Sequence, residues 1–441
     1  MKNVAIVSAK WLEKSWMTNR ALAIWTAAIL TVLIRLAPAL AFKTYHIHPG
    51  DDHFAFGYEW GRIARWVVER GFFSLDGKIP SGDTDPLYVF IIAPFFQVFG
   101  TFSTTAAVAL IILQSILCGL TAWALFVLAE KIYGPFEARL SALLFAFYPP
   151  SIDFAIGRIG PSSLSILILC LVFISALNLR KFATTRSALF AGFLMGLLIL
   201  ATAHLLTLLL VVPFWLLLVS KGQRVRMLFM SLIFVGTAVL VTLPWSIRNS
   251  VDLGHAAISK ANLGYHVWVG NNPGATGYMR TSKLPDAEFY REYGADPNFI
   301  QMAVSWAVSY PVDFLLLTAK RIKYFWYEIP EQSQNSWPYL FHIWSFVALL
   351  PLAILGVCWP REKFEKVSLV LLFIVIYPVL FYLTHVTHYR HRFHIEPFIL
   401  VIATHGFYRL WALRLKLKAA PLQSGLHIEQ SVQKGGANAF D

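Results

Sequence analysis

Residues 104–129, TTAAVALIILQSILCGLTAWALFVLA, contain no charged side chain. As a helix, that stretch is long enough to cross roughly 30 Å of hydrocarbon. Working outward in both directions, residues 163–179, 227–247 and 339–358 repeat the pattern. In lipid, backbone groups must be satisfied within the segment, so each run reads as a transmembrane helix. The alternation of about ten residues expected of a membrane barrel is absent. Composition agrees. Charged residues make up 14% of the chain and apolar types 57%, at a mean hydropathy of +0.60. A soluble domain carries about 25% charged residues, so this chain has too little polar side chain to coat a water-exposed globule.

The formal net charge of +13 does not point to nucleic acid, because the basic residues sit in short clusters between apolar spans, as in cytoplasmic loops of membrane proteins. These clusters are the N-terminus (Lys2, Lys10, Lys14, Arg20), Lys131–Arg139, Arg180–Arg186, Lys221–Arg226, Arg361–Lys366 and Arg414–Lys418. Cys118, Cys170 and Cys358 lie in or beside spans, without metal-ligand or disulfide spacing. They read as small apolar packing residues.

With the clusters inside, residues 21–42 form an uncleaved signal-anchor and carry the chain out. About ten spans follow from the alternation: 21–42, 104–129, 137–154, 163–179, 187–203, 205–220, 227–247, 339–358, 367–384 and 394–412. Residues 187–220 are too long for one span and make a tight pair turning at His204. Residues 86–100 are short for a crossing, and parity requires that they do not cross, which makes them interfacial or re-entrant. The chain therefore divides into a cytoplasmic N-terminus (1–20), an N-terminal transmembrane module (21–247) with a first outer loop (43–103), a second extracytoplasmic loop (248–338), C-terminal transmembrane helices (339–412) and a polar cytoplasmic tail (413–441). The predicted fold class is an all-α polytopic membrane protein with two extracytoplasmic loops. Loops of this length usually carry function.

Directly after the first span comes His48-Pro49-Gly50-Asp51-Asp52-His53-Phe54. Residues 55–70 then have Phe56, Trp60, Ile63, Ala64 and Val67 at helical spacing, the pattern of a helix lying in the interface plane. It would hold Asp51 and Asp52 near the membrane surface. Adjacent carboxylates push one pKa up and suit a general base or a metal contact. Equally, one Asp can cap the helix while the other is solvated.

An acidic pair at the outer end of the first helix, followed by an amphipathic juxtamembrane helix, resembles the GT-C superfamily of membrane glycosyltransferases. That superfamily includes protein O-mannosyltransferases and the aminoarabinose transferases that modify lipid A. Gly57 to Arg62, Asp85-Pro86-Leu87-Tyr88, Tyr148-Pro149-Pro150 with Gly157-Arg158, Pro244 to Asn249, Trp268 to Gly277 and Tyr389 to Phe393 with Glu396-Pro397 are similar to bacterial members in order and spacing. The resemblance covers most of 20–412 and implies an inner-membrane enzyme with an extracytoplasmic active site. It implies a polyprenyl-phosphate-linked sugar donor, membrane lipids as surroundings, a lipid, protein or glycan acceptor, and one inverting displacement. It puts Asp51 in the position of the base on the acceptor hydroxyl, with Asp52 as the supporting acid. Many members carry an acid just after the Gly-Arg; here Gly160-Pro161-Ser162-Ser163 follows, and Asp153 stands in as the candidate. Many also place Arg-Pro where this chain has Ala203-His204.

Such a donor needs cations at the outer interface to hold its phosphate and stabilise the leaving oxygen. The candidates are Arg158, His204, Arg248 and the last outer turn with His385, His388, Arg390, His391, Arg392 and His394. Arg and Lys at span ends also snorkel to headgroups. Outer loops are usually poor in Arg, which sets Arg390 and Arg392 apart. The histidines there, like the acidic pair, leave a divalent metal open. Arg35, within the first span, is a functional candidate by its position alone. Trp268, Asn271 and Asn272 suit a sugar, though Asn-Asn-Pro-Gly is also ordinary turn chemistry. Residues 284–325 read as helices broken at Tyr310-Pro311. A transporter or flippase of a lipid-linked solute, or an inactive scaffold of the same fold, are the competing readings.

Overall fold

The computed structural model describes residues 19–46, 56–254, 257–278, 298–327, 337–358, 364–385, 387 and 389–415. The described residues are overwhelmingly helical. They comprise α1 (Arg20–Ala41), a single π-turn (Gly57–Gly61), α2 (Arg62–Arg70), α3 (Pro86–Phe99), α4 (Thr104–Ile132), α5 (Pro135–Phe147), α6 (Pro149–Ile156), α7 (Ser162–Phe182) and α8 (Thr185–Ala201). A 3-10 turn (Ala203–Thr207) then leads to α9 (Leu208–Val219), α10 (Arg224–Leu253), α11 (Leu263–Gly270), α12 (Asn298–Ser309), α13 (Pro311–Trp326), α14 (Trp337–Cys358), α15 (Phe364–Thr384), a one-turn α16 (Tyr389–Arg392) and α17 (Glu396–Leu415).

Seven of these, α1, α4, α7, α10, α14, α15 and α17, are long and apolar enough to cross a membrane, and α12 with α13 forms a further pair bent by 107° at Tyr310-Pro311. The expected spans 187–203 and 205–220 are the shorter apolar helices α8 and 203–219. The expected span 137–154 is not one helix. It breaks at Tyr148 because Pro149 and Pro150 cannot donate to the preceding turn, so α5 ends and α6 begins. Residues 86–100 form the 14-residue α3, bracketed by Pro86 at its start and Gly100 at its end.

The break between α5 and α6 explains Arg35. Its guanidinium donates to the carbonyls of Thr31 (2.9 Å), Ala146 (3.2 Å) and Phe145 (3.3 Å) and to Ser151 Oγ (2.6 Å). The break leaves the last carbonyls of α5 short of α-helical donors; Phe145 O accepts from Tyr148 N–H and Ser151 Oγ, and the fully buried Arg35 adds a donor to it and to Ala146 O. Arg35 is a structural staple between α1 and the broken helix.

α4 is the central post, packed against α1, α5 and α7. α8 meets α10 through Gly192 and Gly196: a Cβ at Gly192 would lie 2.4 Å from Phe234 O, and one at Gly196 2.5 Å from Val241 Cβ. Small residues four apart let the two backbones approach, as membrane helices without a hydrophobic driving force require. At the other side of α4, a second core of Phe56, Ile63, Phe73, Tyr88, Ile92, Phe96, Ala106 and Leu110 seats the first loop, α2 and α3 on its N-terminal half. As the spacing predicts, α2 buries Ile63 and Ala64, exposes the Arg65–Glu69 pair (2.9 Å) and stops at Gly71, whose φ of +76° suits glycine.

Candidate functional site

The predicted acidic pair, Asp51 and Asp52, lies outside the described residues, as does His388. The residues flanking the first gap are placed. Before it, Tyr45 packs on both hydrophobic cores. After it, Phe56 is fully buried against Phe96 (ring centroids 5.1 Å) and Phe102 (5.4 Å). Trp60 faces Gly160, whose added Cβ would meet it at 3.7 Å. Both flanks therefore sit at the α3/α6 end of the bundle.

At that end the chain assembles a polar recess around Asp85. Pro86 starts α3, so Asp85 stands at the helix N-cap, yet its side chain turns away from the helix. Oδ1 accepts from Ser259 Oγ (2.7 Å) and from the backbone N–H of Ala203 (3.2 Å), and Oδ2 lies 3.8 Å from Lys260 Nζ. One carboxylate thus joins the start of α3, the turn after α8 and the loop entering α11. That loop is held by further bonds: Ala261 N donates to Gly82 O (2.8 Å), Asn262 Nδ2 to Asp83 O (3.1 Å), and Trp245 Nε1 and Asn249 Nδ2 to Ser259 O (3.0 and 3.1 Å). Asp85 is 3% exposed. Burial raises its pKa first of all, and the Lys260 ammonium works against that rise.

Four histidines line the same recess. His204, on the turn after α8, lies 5.5 Å (centroid to centroid) from both His385 and His391. His385 stacks on His266 of α11 at 5.2 Å and 18°. His391 stacks on Phe381 at 4.3 Å. The close approach of α11 to the end of α15 needs Gly270, since a Cβ there would lie 2.5 Å from Thr384 O. Burial lowers the pKa of His385 to about 3, with Lys260, Arg321 and Arg390 adding to the effect. His394 falls to about 4 and His266 falls well below its ordinary value, again from burial first. His385, His394 and His266 are therefore neutral at pH 7, and Lys260 and Arg390 are the cations of the recess beside Asp85.

The turn at 389–396 separates this recess from a second polar patch. There Asp153 Oδ2 lies 3.7 Å from His342 Nε2, and its side chain is 36% exposed. Arg158 lies over the Phe154 ring at 5.4 Å. Its backbone is set by the buried Gln114, whose Nε2 donates to Ala155 O (2.6 Å) and Arg158 O (3.1 Å). Phe154 stacks on Phe393 at 4.3 Å, locking α6 to the turn.

Four candidate residues have internal partners. Arg392 Nε donates to Glu396 Oε1 at 2.7 Å with both side chains 2% exposed, and Nη1 donates to Phe325 O (3.3 Å) and Trp326 O (3.1 Å). Tyr148 donates to the other Glu396 oxygen (2.8 Å). Arg248 bonds Ser81 O (2.7 Å) and Phe73 O (2.9 Å), pairs with Asp252 (2.9 Å), and lies over Trp245 at 4.9 Å. Asn271 donates to Val267 O and Leu383 O and accepts from Arg321, while Asn272 donates to Trp268 O and Val269 O and accepts from Gly274 N–H. These amides serve the end of α11 and the following turn. Trp268 packs beside Tyr265 and Phe299. Conversely, Lys260, His266 and Asp85 line the recess although their spacing singles none of them out; the one signal in the sequence is an acid immediately before a helix-starting proline. Among the described residues, no three His, Cys, Asp or Glu side chains converge as a metal-ligand set.

No protein-family model matches the chain, and no curated protein matches it. Solved structures do. The chain is similar to the archaeal oligosaccharyltransferase AglB from Archaeoglobus fulgidus in complex with an inhibitory peptide and a dolichol-phosphate (TM-score 0.54, 12% identity, 96% of this chain and 52% of that one). The apo form of that oligosaccharyltransferase gives a TM-score of 0.55 at 12% identity, over 96% and 52% of the two chains. ArnT from Cupriavidus metallidurans bound to undecaprenyl phosphate gives 0.52 at 13% identity, over 91% and 63%. The chain thus spans about half the length of the first protein and under two thirds of the second. At these identities the likeness is one of fold.

Proposed function

From the GT-C fold that this polytopic membrane chain shares with both neighbours, we propose that it is a glycosyltransferase using a polyprenyl-phosphate-linked sugar. The observation that carries the reading is the convergence of Lys260, Arg390 and the histidines 204, 266, 385 and 391 on one recess beside Asp85. Two permanent cations and several neutral N–H donors within a low-dielectric wall suit a phosphate. The neighbours' complexes with dolichol-phosphate and undecaprenyl phosphate support the same ligand class.

In this reading Asp51, with Asp52 beside it, takes the proton from an acceptor hydroxyl. The freed oxygen attacks the anomeric carbon from the face opposite the phosphate. The carbon–oxygen bond to the phosphate breaks, the anomeric centre inverts, and polyprenyl phosphate leaves with the bonding electrons. Lys260 and Arg390 meet the growing charge on that oxygen, the placement at which cations contribute most. The negative phosphate also favours protonation of the neighbouring imidazoles, so binding draws protons in. Asp153, exposed at the same end near His342 and Arg158, is the further acid available to the acceptor side. In this reading the end faces the extracytoplasmic side of a bacterial inner membrane, which the charge pattern of the loops supports as to side.

The test is transfer in proteoliposomes from a panel of polyprenyl-phosphate sugars. Asp51→Asn is expected to abolish transfer while the protein stays monodisperse and lipid-phosphate binding persists. Full activity in that variant removes the assigned base, and movement of the lipid-linked substrate without transfer replaces the enzyme with a carrier.

A further inference from the structure

The opposite end of the bundle holds a second polar cavity that the transfer reaction does not use. α7 and α15 each run 21 residues between the two ends, about 30 Å at roughly 1.5 Å per residue. At the far end, the last turns of α4 and α7, the turn between α9 and α10, and the first turn of α15 enclose a cavity of about 910 Å³. Its charged lining is Lys131, Arg180, Lys181, Lys221 and Lys366 against one carboxylate, Glu365. Five positive and one negative side chain leave a net +4 in a concave space.

Positive-inside sorting accounts for cations at this end. It does not account for three of them, Lys131, Arg180 and Lys366, turning onto neighbouring protein groups, while Lys181 and Lys221 are exposed. Lys131 Nζ donates across the cavity wall to Asn178 Oδ1 (2.9 Å), and Lys366 Nζ donates to Lys131 O (2.8 Å). Arg180 pairs with Glu365, whose backbone carbonyl accepts from buried Trp215 (3.0 Å). Like charges converging in one hollow repel one another, and an anion placed among them relieves that cost. The wall continues from the cavity into apolar helix surface: Leu218 and Phe364 line it, and Leu228, Phe229 and Leu232 of α10 lie exposed beyond. A ligand that fits has a phosphoryl head at the level of the lysines and hydrocarbon running along the bundle.

We propose that this cavity binds the phosphodiester headgroup of an anionic membrane phospholipid. Basic pockets between transmembrane helices recognise such headgroups. The site is separate from the recess around Asp85 and does not depend on the glycosyltransferase reading.

The test uses the full chain purified in neutral detergent, titrated with phosphatidylglycerol, phosphatidylcholine or inorganic phosphate, and read by native mass spectrometry and thermal midpoint. Phosphatidylglycerol is expected to be retained and to raise the midpoint, and phosphatidylcholine to do neither. The double variant Lys181→Gln/Lys221→Gln, at two exposed positions, should weaken phosphatidylglycerol about 25-fold, or about fivefold per charge. Glu365→Gln should tighten it about fivefold, a gain that a folding defect cannot imitate. Equal affinity in wild type and double variant overturns the proposal, as does equal retention of phosphatidylcholine. Stabilisation by inorganic phosphate at the same concentrations, with no preference for the lipid, overturns the lipid assignment in favour of a soluble anion.

Discussion

The two ends of α7 and α15 both gather cations, and they hold them in opposite ways. Around Asp85 and Glu396 the ionic groups are enclosed: Asp85, Arg392, His385 and His394 are all 6% exposed or less. At the far end the side chains of Arg20 and Glu365 are 58% and 64% exposed. An enclosed charge costs several kcal/mol unless a partner sits at hydrogen-bonding distance, whereas an exposed one is satisfied by water and screened by salt. The enclosed end is therefore an end of fixed geometry, with specific pairs and neutral imidazoles. At the open end the exposed side chains Arg20 and Glu365 sit in contacts that water and salt screen.

The largest effect that separates the two ends is the removal of one partner from a pair. Arg392→Met leaves Glu396 buried and unpaired, with an expected loss on the order of 3–5 kcal/mol. The double change Arg392→Met/Glu396→Leu should recover most of it, because no uncompensated charge remains. Arg20→Ala breaks a contact of the same 2.7 Å length, Arg20 to Glu130, and should cost about 1 kcal/mol or less. Unfolding of the three variants in detergent checks this, and equal losses for Arg392→Met and Arg20→Ala would erase the distinction.

Next in size is Lys260, the cation proposed to meet a leaving phosphate. Lys260→Gln keeps a hydrogen-bonding side chain near Asp85 but removes the charge, and should lower turnover about a hundredfold, as loss of one preorganised electrostatic group does. Arg186→Gln, exposed at the open end, should leave turnover unchanged. A polyprenyl-phosphate transfer assay on the two variants separates the recess from general surface charge.

Hydropathy made the bundle legible because lipid imposes one demand on every span, backbone satisfaction within the segment. The turn at His204, the break at Tyr310-Pro311, the short helix over 86–100 and the amphipathic α2 all follow from length, proline and spacing. The α5/α6 break is hidden from hydropathy because the apolar run continues through it, although Tyr148-Pro149-Pro150 announces it. Side-chain roles were less legible, for a physical reason. Arg248 and Arg392 stand out by their place at span ends, and each has a legible acid four residues on, but their other donors meet the carbonyls of Phe73, Ser81, Phe325 and Trp326. These acceptors are far off in sequence and carry no signature, since every residue has a carbonyl. Lys260 is one of several basic residues in a long loop, and only the Asp85 carboxylate across the fold sets it apart.

The smallest expected effect is a pH dependence confined to the enclosed end. His385 and His394 have folded pKa values of about 3 and about 4, against about 6.5 in the unfolded chain. The unfolded state thus binds more protons as pH falls below 6.5, and stability is lost with acidification. Between pH 7 and pH 6 each imidazole should contribute on the order of half a kcal/mol of loss. Asp85 has the opposite sign: its folded pKa is raised, so its contribution is full below the unfolded carboxylate value and falls away as pH rises. His385→Gln should therefore flatten the dependence of the thermal midpoint over pH 7 to 6. Where the raised Asp85 pKa reaches into that range, Asp85→Asn should steepen it. A midpoint that does not move with pH in the wild-type chain, or that His385→Gln leaves as steep as before, would show that these imidazoles reach water. The recess would then hold its cations as the open end does.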